Sequence, residues 1–225
     1  MSQNYKVNEL FQTIQGEGFY TGVPAIFVRL QGCDVGCAWC DTKHTWEIDP
    51  DKKSDLVIVT DKSNESDRWA DCSAKEIVDE IKRLGYTANL IVITGGEPCM
   101  YDLRELTQVL HEFGFSIQIE TSGTYPVLVD QQTWVTLSPK VNMRGKKEVL
   151  KEALQRANEI KHQVGTEKDI EQLDALLAKL KSVSDKTISL QPISQKAKAT
   201  ALCMQVCIER NWRLSVQMHK YLQID

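Results

Sequence analysis

The chain is organised around the segment Cys33-Asp-Val-Gly-Cys37-Ala-Trp-Cys40. Its cysteines have the spacing C-x3-C-x2-C, and no second set with that spacing follows. Thiolates are the usual ligands of iron–sulfur clusters, so this segment could hold three irons of a four-iron cluster. The fourth iron would lack a protein ligand and would be open to a small molecule. The alternative is a zinc site, because His44 extends the pattern to C-x3-C-x2-C-x3-H.

Length, composition and charge are those of an ordinary globular protein. The chain has 225 residues, of which 42% are hydrophobic and 26% charged, and we expect one domain spanning residues 1–225. The net charge of −4 provides no basic field that would favour direct nucleic-acid binding. No apolar run is long enough to span a membrane. Seven cysteines without a secretory signal indicate reduced thiols in the cytosol.

Buried strands alternate with amphipathic helices along most of the chain. The apolar run Ala25–Leu30 precedes the cysteine segment, and further runs recur at about residues 89–93, 115–119, 133–137, 160–164, 187–190 and 212–216. Such alternation predicts an α/β protein with a parallel sheet. The chain is short for eight strand–helix units, so we expect an incomplete TIM-type barrel. The polar stretch 47–71 is expected to be a surface insertion, with a small hairpin.

Polar motifs follow the ends of the predicted strands. Active sites of barrels lie at the carboxyl ends of their strands, and this is where we find the cysteine segment, Thr94-Gly-Gly-Glu-Pro98, Glu120-Thr-Ser-Gly123, Ser138-Pro-Lys140 and Gln191-Pro-Ile-Ser194. Arg29 interrupts an apolar strand and needs a partner, because an unpaired buried charge is costly. That partner is either a structural carboxylate or an anionic, planar substrate.

The cysteine spacing, the aromatic Trp39 and the Gly-Gly-Glu-Pro strand end together resemble the radical S-adenosylmethionine (SAM) superfamily. The resemblance implies a [4Fe-4S] cluster on Cys33, Cys37 and Cys40, with the amino and carboxylate groups of SAM on the open iron. It also implies the radical SAM core fold, an incomplete barrel. The two motifs together favour the iron–sulfur cluster over zinc.

Further segments resemble one family within this superfamily, the 7-carboxy-7-deazaguanine synthases. The matching residues are Gln15-Gly-Glu-Gly18, Arg29, Gln31-Gly-Cys33, Cys40-Asp-Thr-Lys43 and Thr94-Gly-Gly-Glu97. The resemblance implies a lyase that contracts the ring of 6-carboxy-5,6,7,8-tetrahydropterin, with loss of ammonia, in 7-deazapurine and queuosine biosynthesis. A radical activating enzyme that acts on a partner protein is the alternative.

The resemblance also implies individual roles. SAM would be bound by Gly96, Ser138, Pro139, Lys140, Gln191, Pro192, Ile193 and Ser194. Substrate would be bound by Ile14, Gln15, Gly16, Arg29, Thr94 and the final residue, Asp225. Thr42 would coordinate Mg²⁺, flavodoxin or a similar reductant would supply the electron, and the chain would be a homodimer. No catalytic side chain is implied, since the cofactor generates the radical; His111, His162 and His219 are expected to be at the surface or structural.

Overall fold

The structure is a computed structural model that describes residues 3–61 and 67–222. The strands are β1 (Asn4–Ile14), β2 (Pro24–Leu30), β3 (Ala70–Ser73), β4 (Leu90–Gly95), β5 (Ser116–Thr121), β6 (Trp134–Leu137), β7 (Glu159–Val164), β8 (Thr187–Pro192) and β9 (Arg213–Leu214). The α-helices are α1 (Leu56–Val59), α2 (Ala74–Arg83), α3 (Arg104–Glu112), α4 (Lys151–Arg156), α5 (Glu167–Leu177), α6 (Ala197–Arg210) and α7 (His219–Leu222).

Within these ranges the strands form a single sheet in the order β3-β1-β2-β4-β5-β6-β7-β8-β9. From β2 to β9 every neighbouring pair is parallel and follows chain order. A parallel sheet that never reverses its strand order curls in one direction, and helices cover its outer face. The sheet order ends at β3 and β9, so the barrel stays open, and the expected incomplete TIM-type barrel is confirmed.

The helices pack on the outer face of the sheet through apolar side chains. Ile77 of α2, Leu106 of α3 and Leu173 of α5 are fully buried in one continuous core. Helix α2 begins with a capping box: Glu76 N donates to Ser73 Oγ at 3.3 Å, and Ser73 N donates to Glu76 Oε2 at 2.7 Å. No helix in the described part of the chain combines the length and apolarity that a membrane crossing requires.

The first strand departs from the parallel pattern. β1 is antiparallel to β2, with Ile14 opposite Pro24 and Val7 opposite Leu30. Strand periodicity does not reveal direction, and only the short connection 15–23 hints at a hairpin. As a consequence, the Gln15-Gly-Glu-Gly18 segment starts at the opposite end of the barrel from the cysteine segment.

The 47–71 segment is not a hairpin where the structure describes it. Its apolar run is helix α1, and its end is β3, which pairs antiparallel with β1 from Asn4–Ser73 to Val7–Ala70. Trp69 and Ala70 are buried. The segment is therefore partly an edge strand of the sheet, which propensity could not indicate in a stretch this polar.

The sequence from about Lys147 to Asn158 favours a helix, but α4 covers only Lys151–Arg156. The preceding residues bind the cysteine segment instead: Gly145 N donates to Val35 O at 3.0 Å, and Lys146 takes a left-handed backbone conformation with φ 53°. Contacts with a distant segment thus override helix propensity here.

Hydrogen-bonded polar side chains fill the interior of the barrel toward the amino-terminal ends of the parallel strands, which we call its lower end. Thr136 on β6 and Ser189 on β8 both donate to the fully buried Glu159, at 3.0 and 2.5 Å. The loop after β1 enters this interior, where Gly18 has φ 67° and a Cβ would lie 2.8 Å from Glu159 Oε2. Only glycine fits that position, so the loop closes the barrel from below.

Candidate active site

Two glycines bring the end of β4 against the cysteine segment. Gly96 N donates to Leu30 O at 2.8 Å, and a Cβ on Gly96 would lie 2.1 Å from Gly32 O. A Cβ on Gly95 would lie 2.3 Å from Leu30 N. Any side chain would push the two strand ends apart, and this steric requirement explains the Gly-Gly pair.

Glu97, the acidic residue of that motif, faces the protein interior. It is 2% exposed and accepts hydrogen bonds from Cys99 N at 3.0 Å, Thr121 Oγ1 at 2.6 Å and Ser122 N at 2.8 Å. Ser122 Oγ donates to the same carboxylate. Glu97 thus ties the end of β4 to the end of β5, which keeps the motif rigid beside the cysteines.

Backbone hydrogen bonds hold the cysteine segment. Gly32 N donates to Thr45 O at 2.7 Å and Cys33 N donates to Trp46 O at 3.0 Å. The Trp46 indole Nε1 lies 3.4 Å from Cys40 Sγ. All three cysteines line one cavity, so their thiols face a common space.

The donor set fits an iron–sulfur cluster. Burial raises the pKa of the Cys33 thiol to about 11 and also raises that of Cys37, so iron binding there releases protons. His44, the fourth residue of the zinc alternative, is not among the residues that line the cavity with the cysteines, and its Nε2 lies 3.8 Å from Glu9 Oε1. Within the described ranges, no three His, Cys, Asp or Glu side chains are gathered around one ion-sized point.

One cavity of about 420 Å³ gathers most of the predicted site residues. Its size is that of a small-molecule site. The predicted residues that line it are Ile14, Gln15, Gly16, Arg29, Cys33, Cys37, Cys40, Thr42, Thr94, Gly96, Ser138, Lys140, Gln191, Pro192, Ile193 and Ser194. Pro139 lines a second, neighbouring cavity instead. Asp225 lies outside the residues that the structure describes.

Arg29 already has a carboxylate partner. Its Nε donates to Glu9 Oε2 at 2.5 Å, across the β1–β2 pair. The side chain is 17% exposed, and the residue also lines the cavity. Both interpretations of Arg29 thus have support: Glu9 neutralises the charge, and the guanidinium lies where a ligand would meet it.

Thr42 precedes a 3-10 turn, Lys43–Thr45, but its side chain makes no capping hydrogen bond among the described residues. Instead, Thr45 Oγ1 donates to Thr42 O at 2.8 Å. The Thr42 hydroxyl lies 3.6 Å from Cys40 Sγ. The hydroxyl therefore does not cap this turn, and Thr42 lines the cavity beside the cysteines.

Sequence reasoning missed a buried charge cluster at the cavity floor. Lys161 on β7 is 5% exposed, and its Nζ donates to Glu17 Oε2 at 2.7 Å and to Glu120 Oε1 at 3.0 Å. Burial opposes ionisation of Glu17, but Lys161 and the Gln217 amide outweigh it and hold the pKa of Glu17 at about 2. At Glu120 burial prevails over Lys161 and raises the pKa to about 7.

The segment after β9 closes the side of the cavity. Gln217 Nε2 donates to Glu17 Oε1 at 2.8 Å, and Met218 N donates to Gly16 O at 2.9 Å. His219 lies with its Nδ1 3.9 Å from Glu17 Oε1 and lines the cavity. The expectation of a surface or structural role for His219 stays a prediction, and its place at the cavity wall adds a possible contact with a ligand to be tested. The signal available in the sequence was that Gln217 to Lys220 follow the last strand directly.

Comparison with known proteins agrees with this geometry. The Radical SAM superfamily model matches residues 27–166. A protein of Escherichia coli strain K12 named 7-carboxy-7-deazaguanine synthase is 60% identical, covering 98% of this chain and 99% of its own. A Flavobacterium psychrophilum protein of the same name is 35% identical, covering 96% of this chain and 90% of its own.

A solved structure matches throughout. The crystal structure of QueE from Escherichia coli has a TM-score of 0.93 and 60% sequence identity, and the match covers 96% of this chain and 95% of that one. The resemblance found from the motifs is thereby confirmed over nearly the whole length. The chain belongs to the radical SAM superfamily and, within it, to the 7-carboxy-7-deazaguanine synthase family.

Proposed function

We propose that this chain converts 6-carboxy-5,6,7,8-tetrahydropterin into 7-carboxy-7-deazaguanine and ammonia, a step toward 7-deazapurines. The observation that carries the proposal is a single cavity in which the three cysteines share walls with Arg29 and Thr42, above the Lys161 cluster. Such a cavity can hold a planar anionic substrate next to an iron-bound cofactor.

The chain's own part is to hold the cofactors and keep water away. Cys33, Cys37 and Cys40 would hold the [4Fe-4S] cluster, and Gly96, the 138–140 turn and Gln191–Ser194 would hold SAM. When bound, the reduced cluster and SAM would supply the radical chemistry that takes a hydrogen atom from C6 of the pterin.

Arg29 would bind the substrate carboxylate. Its guanidinium has five N–H donors, and Glu9 takes only the Nε of this fork in the hydrogen bonds within the described chain. The two remaining nitrogens suit a carboxylate in the cavity, and bidentate pairing fixes the orientation of such a ligand. Glu9 would then balance the arginine charge from behind.

Thr42 would bind Mg²⁺ together with oxygens of the substrate. Magnesium is a hard cation that takes oxygen ligands and keeps several waters, so one hydroxyl and one substrate carboxylate suffice for a site of this kind. The neighbouring Asp41 lines the same cavity and adds a negative charge.

The buried cluster of Glu17, Glu120 and Lys161 would bind the aminopyrimidine edge of the pterin by hydrogen bonds. That edge carries N–H donors, and Glu17 and Glu120 are carboxylates in the cavity wall. Lys161 neutralises part of their charge and fixes their positions. A carboxylate that accepts from both the ring N–H and the exocyclic amine of that edge gives strong and specific recognition.

Two partners complete the proposal. A small one-electron donor, flavodoxin or a similar protein, would reduce the cluster, since the chain contributes no second set of cysteines with cluster spacing. The chain would work as a homodimer. Neither nucleic acid nor a membrane is part of the proposed reaction.

A product assay tests the function. Anaerobically reconstituted protein should be brown, with iron and sulfide, and should form 7-carboxy-7-deazaguanine from the carboxytetrahydropterin with SAM, reductant and magnesium. An intact cluster that cleaves SAM but yields no such product would point to an activating enzyme with a protein substrate. A colourless, zinc-loaded protein would overturn the cofactor assignment itself.

A further inference from the structure

Trp46 contacts both ends of the cysteine segment. Its carbonyl oxygen accepts from Cys33 N at 3.0 Å, and its indole Nε1 lies 3.4 Å from Cys40 Sγ. The Thr42 hydroxyl lies 3.6 Å from the same sulfur, and a hydroxyl can donate or accept. An indole N–H only donates. The hydrogen bond between Trp46 and Cys40 therefore has a fixed direction, from the indole to the sulfur.

A buried glutamine holds the backbone of Trp46 in place. Gln31 is 1% exposed, and its Nε2 donates to His44 O at 3.0 Å and to Glu47 O at 2.6 Å, on either side of Trp46. Asn8 Nδ2 in turn donates to Gln31 Oε1 at 2.8 Å. None of these bonds uses the indole. The indole can therefore be changed while the backbone that carries it stays anchored.

The indole and the sulfur meet at the wall of the large cavity. Trp46 and Cys40 both line this cavity, and both residues are half-buried. Partial exclusion of water lowers the local dielectric constant, and hydrogen bonds are electrostatically stronger there than in bulk water. The N–H group of Trp46 thus acts on the sulfur with little screening by solvent.

Hydrogen bonds to the sulfurs are among the factors that set the reduction potential of an iron–sulfur cluster. Reduction adds one negative charge, which the cluster shares with its thiolate ligands. An N–H group aimed at a thiolate interacts more favourably with the more negative state, as charge-assisted hydrogen bonds do. Such a bond favours the reduced cluster and so raises its reduction potential.

We propose that the Trp46 indole donates a hydrogen bond to the Cys40 thiolate of the bound [4Fe-4S] cluster and thereby raises the cluster's reduction potential. Trp46 acts through Cys40, so it is a positioning residue and does not itself touch the reacting atoms. The proposal rests on the cluster that membership of the radical SAM superfamily implies, and it does not depend on the pterin reaction. A negative product assay would leave it standing.

The test removes the N–H group and keeps the shape of the side chain. Benzothienylalanine is a tryptophan isostere with sulfur in place of the indole N–H, and it is introduced site-specifically at position 46. The matched control carries the same isostere at position 39, because the Trp39 indole donates to Gln163 Oε1 at 2.6 Å and not to a cysteine. Trp46→Phe, which also lacks the donor, is a second variant.

The reduction potential is measured on each reconstituted [4Fe-4S] protein in an anaerobic redox titration, without SAM or substrate. Electron paramagnetic resonance follows the reduced cluster. Iron and sulfide contents show that the cluster is present, and thermal unfolding shows that the protein is folded. A purely structural role of Trp46 would lower the cluster content and leave the potential of the remaining clusters unchanged.

We expect the isostere at position 46 to lower the reduction potential by about 59 mV, a tenfold change in the equilibrium constant for one electron. One hydrogen bond to a charged group has an effect of about this size. Trp46→Phe should shift the potential in the same direction, and the control should keep the parent's potential. An unchanged potential with the isostere at position 46, or an equal shift in the control, would overturn the proposal. Loss of the cluster from both position-46 proteins would also overturn it and assign the hydrogen bond to cluster assembly.

Discussion

The Lys161 ammonium lies 2.7 Å from a Glu17 carboxylate oxygen, although the two residues are 144 positions apart in the chain. Glu17 belongs to the loop after β1 and Lys161 to β7, on the other side of the barrel. Their ion pair fixes the loop across the open interior and, together with Glu120, forms the floor of the cavity. The stability of the fold and the shape of the site therefore depend on the same cluster.

Lys161→Met should destabilise the protein by about 3–5 kcal/mol, the usual cost of leaving a buried charge unpaired. Two carboxylates would then lie together without a cation. Chemical denaturation at neutral pH measures the loss. The matched control is Lys168→Met, since Lys168 is an exposed lysine. A difference below about 0.5 kcal/mol between the two variants would show that the cluster is not structural.

The free energy of unfolding should depend on pH partly through the ionisation of Glu120. Its pKa in the folded protein is raised to about 7, above the value of an unfolded glutamate. The folded state then binds the extra proton, so this group's contribution is full at low pH and is lost as pH rises from about 4.5 to 7. Glu17 acts oppositely, with a pKa lowered to about 2, and its contribution is lost as pH falls from about 4.5 to 2.

The two effects are separated by comparing variants. The parent should lose stability between pH 5 and 7 relative to Glu120→Gln, because other titrating groups, such as His162, cancel in the difference. Glu17→Gln should remove the acid-side loss instead. Anaerobic unfolding at a series of pH values gives both curves, and parallel curves for parent and Glu120→Gln would refute the assignment.

Arg29→Ala should raise KM for the pterin about 10- to 100-fold, as expected for losing hydrogen bonds to a charged group. Iron content should stay unchanged, because Arg29 is not a cluster ligand. Glu9→Gln is the control: it removes the charge behind the arginine but keeps the guanidinium in the cavity, and should change KM less. Loss of iron in Arg29→Ala would mean that the residue supports the fold rather than the substrate.

Gly96→Ala should lower the iron and sulfide content of the reconstituted protein by more than half. The new Cβ would lie 2.1 Å from Gly32 O, so the cysteine segment must shift. Gly165→Ala is the control, since its Cβ would meet its nearest atom, Ile193 Cδ1, at an ordinary 3.4 Å. Full cluster content in Gly96→Ala would show that the close approach is not needed.

The local motifs account for the part of the site that sequence predicted. Cys33–Cys40, the Gly-Gly-Glu-Pro turn and the polar strand ends are each contiguous, and parallel strands bring their carboxyl ends together. As a result, sixteen of the predicted site residues line one cavity. The direction of β1 and the pairing of β3 depend on long-range contacts. Hydrophobic periodicity and secondary-structure propensity carry no information about such contacts.

The buried cluster was missed for a related reason. Lys161 stands in a strand that reads Glu-Ile-Lys-His-Gln-Val, where polar residues at alternate positions are typical of a half-exposed strand. In this barrel the face that carries Glu159 and Lys161 is the interior, and both residues are buried. The burial of Lys161 could be predicted only by knowing that Glu17 and Glu120 are its partners. Both are distant from Lys161 in sequence, so the strand pattern alone does not show whether its polar face is buried or exposed to solvent.

Thr42→Ala should reduce the stimulation of turnover by magnesium, whereas Thr42→Ser, which keeps the hydroxyl, should retain it. The hydroxyl makes no capping bond in the described structure, so its loss should leave the fold intact. Turnover at a series of magnesium concentrations measures the effect. An equal magnesium response in Thr42→Ala and the parent would remove Thr42 from the metal site.

The most direct test of the central claim follows the hydrogen atom itself. Reconstituted enzyme is given 6-carboxytetrahydropterin deuterated at C6, with SAM, reductant and magnesium, and product and recovered SAM are analysed by mass spectrometry. We predict 7-carboxy-7-deazaguanine together with deuterium in the recovered SAM, because in the proposed site the pterin would lie beside the cofactor. Turnover with no deuterium in any adenosyl species would contradict the account.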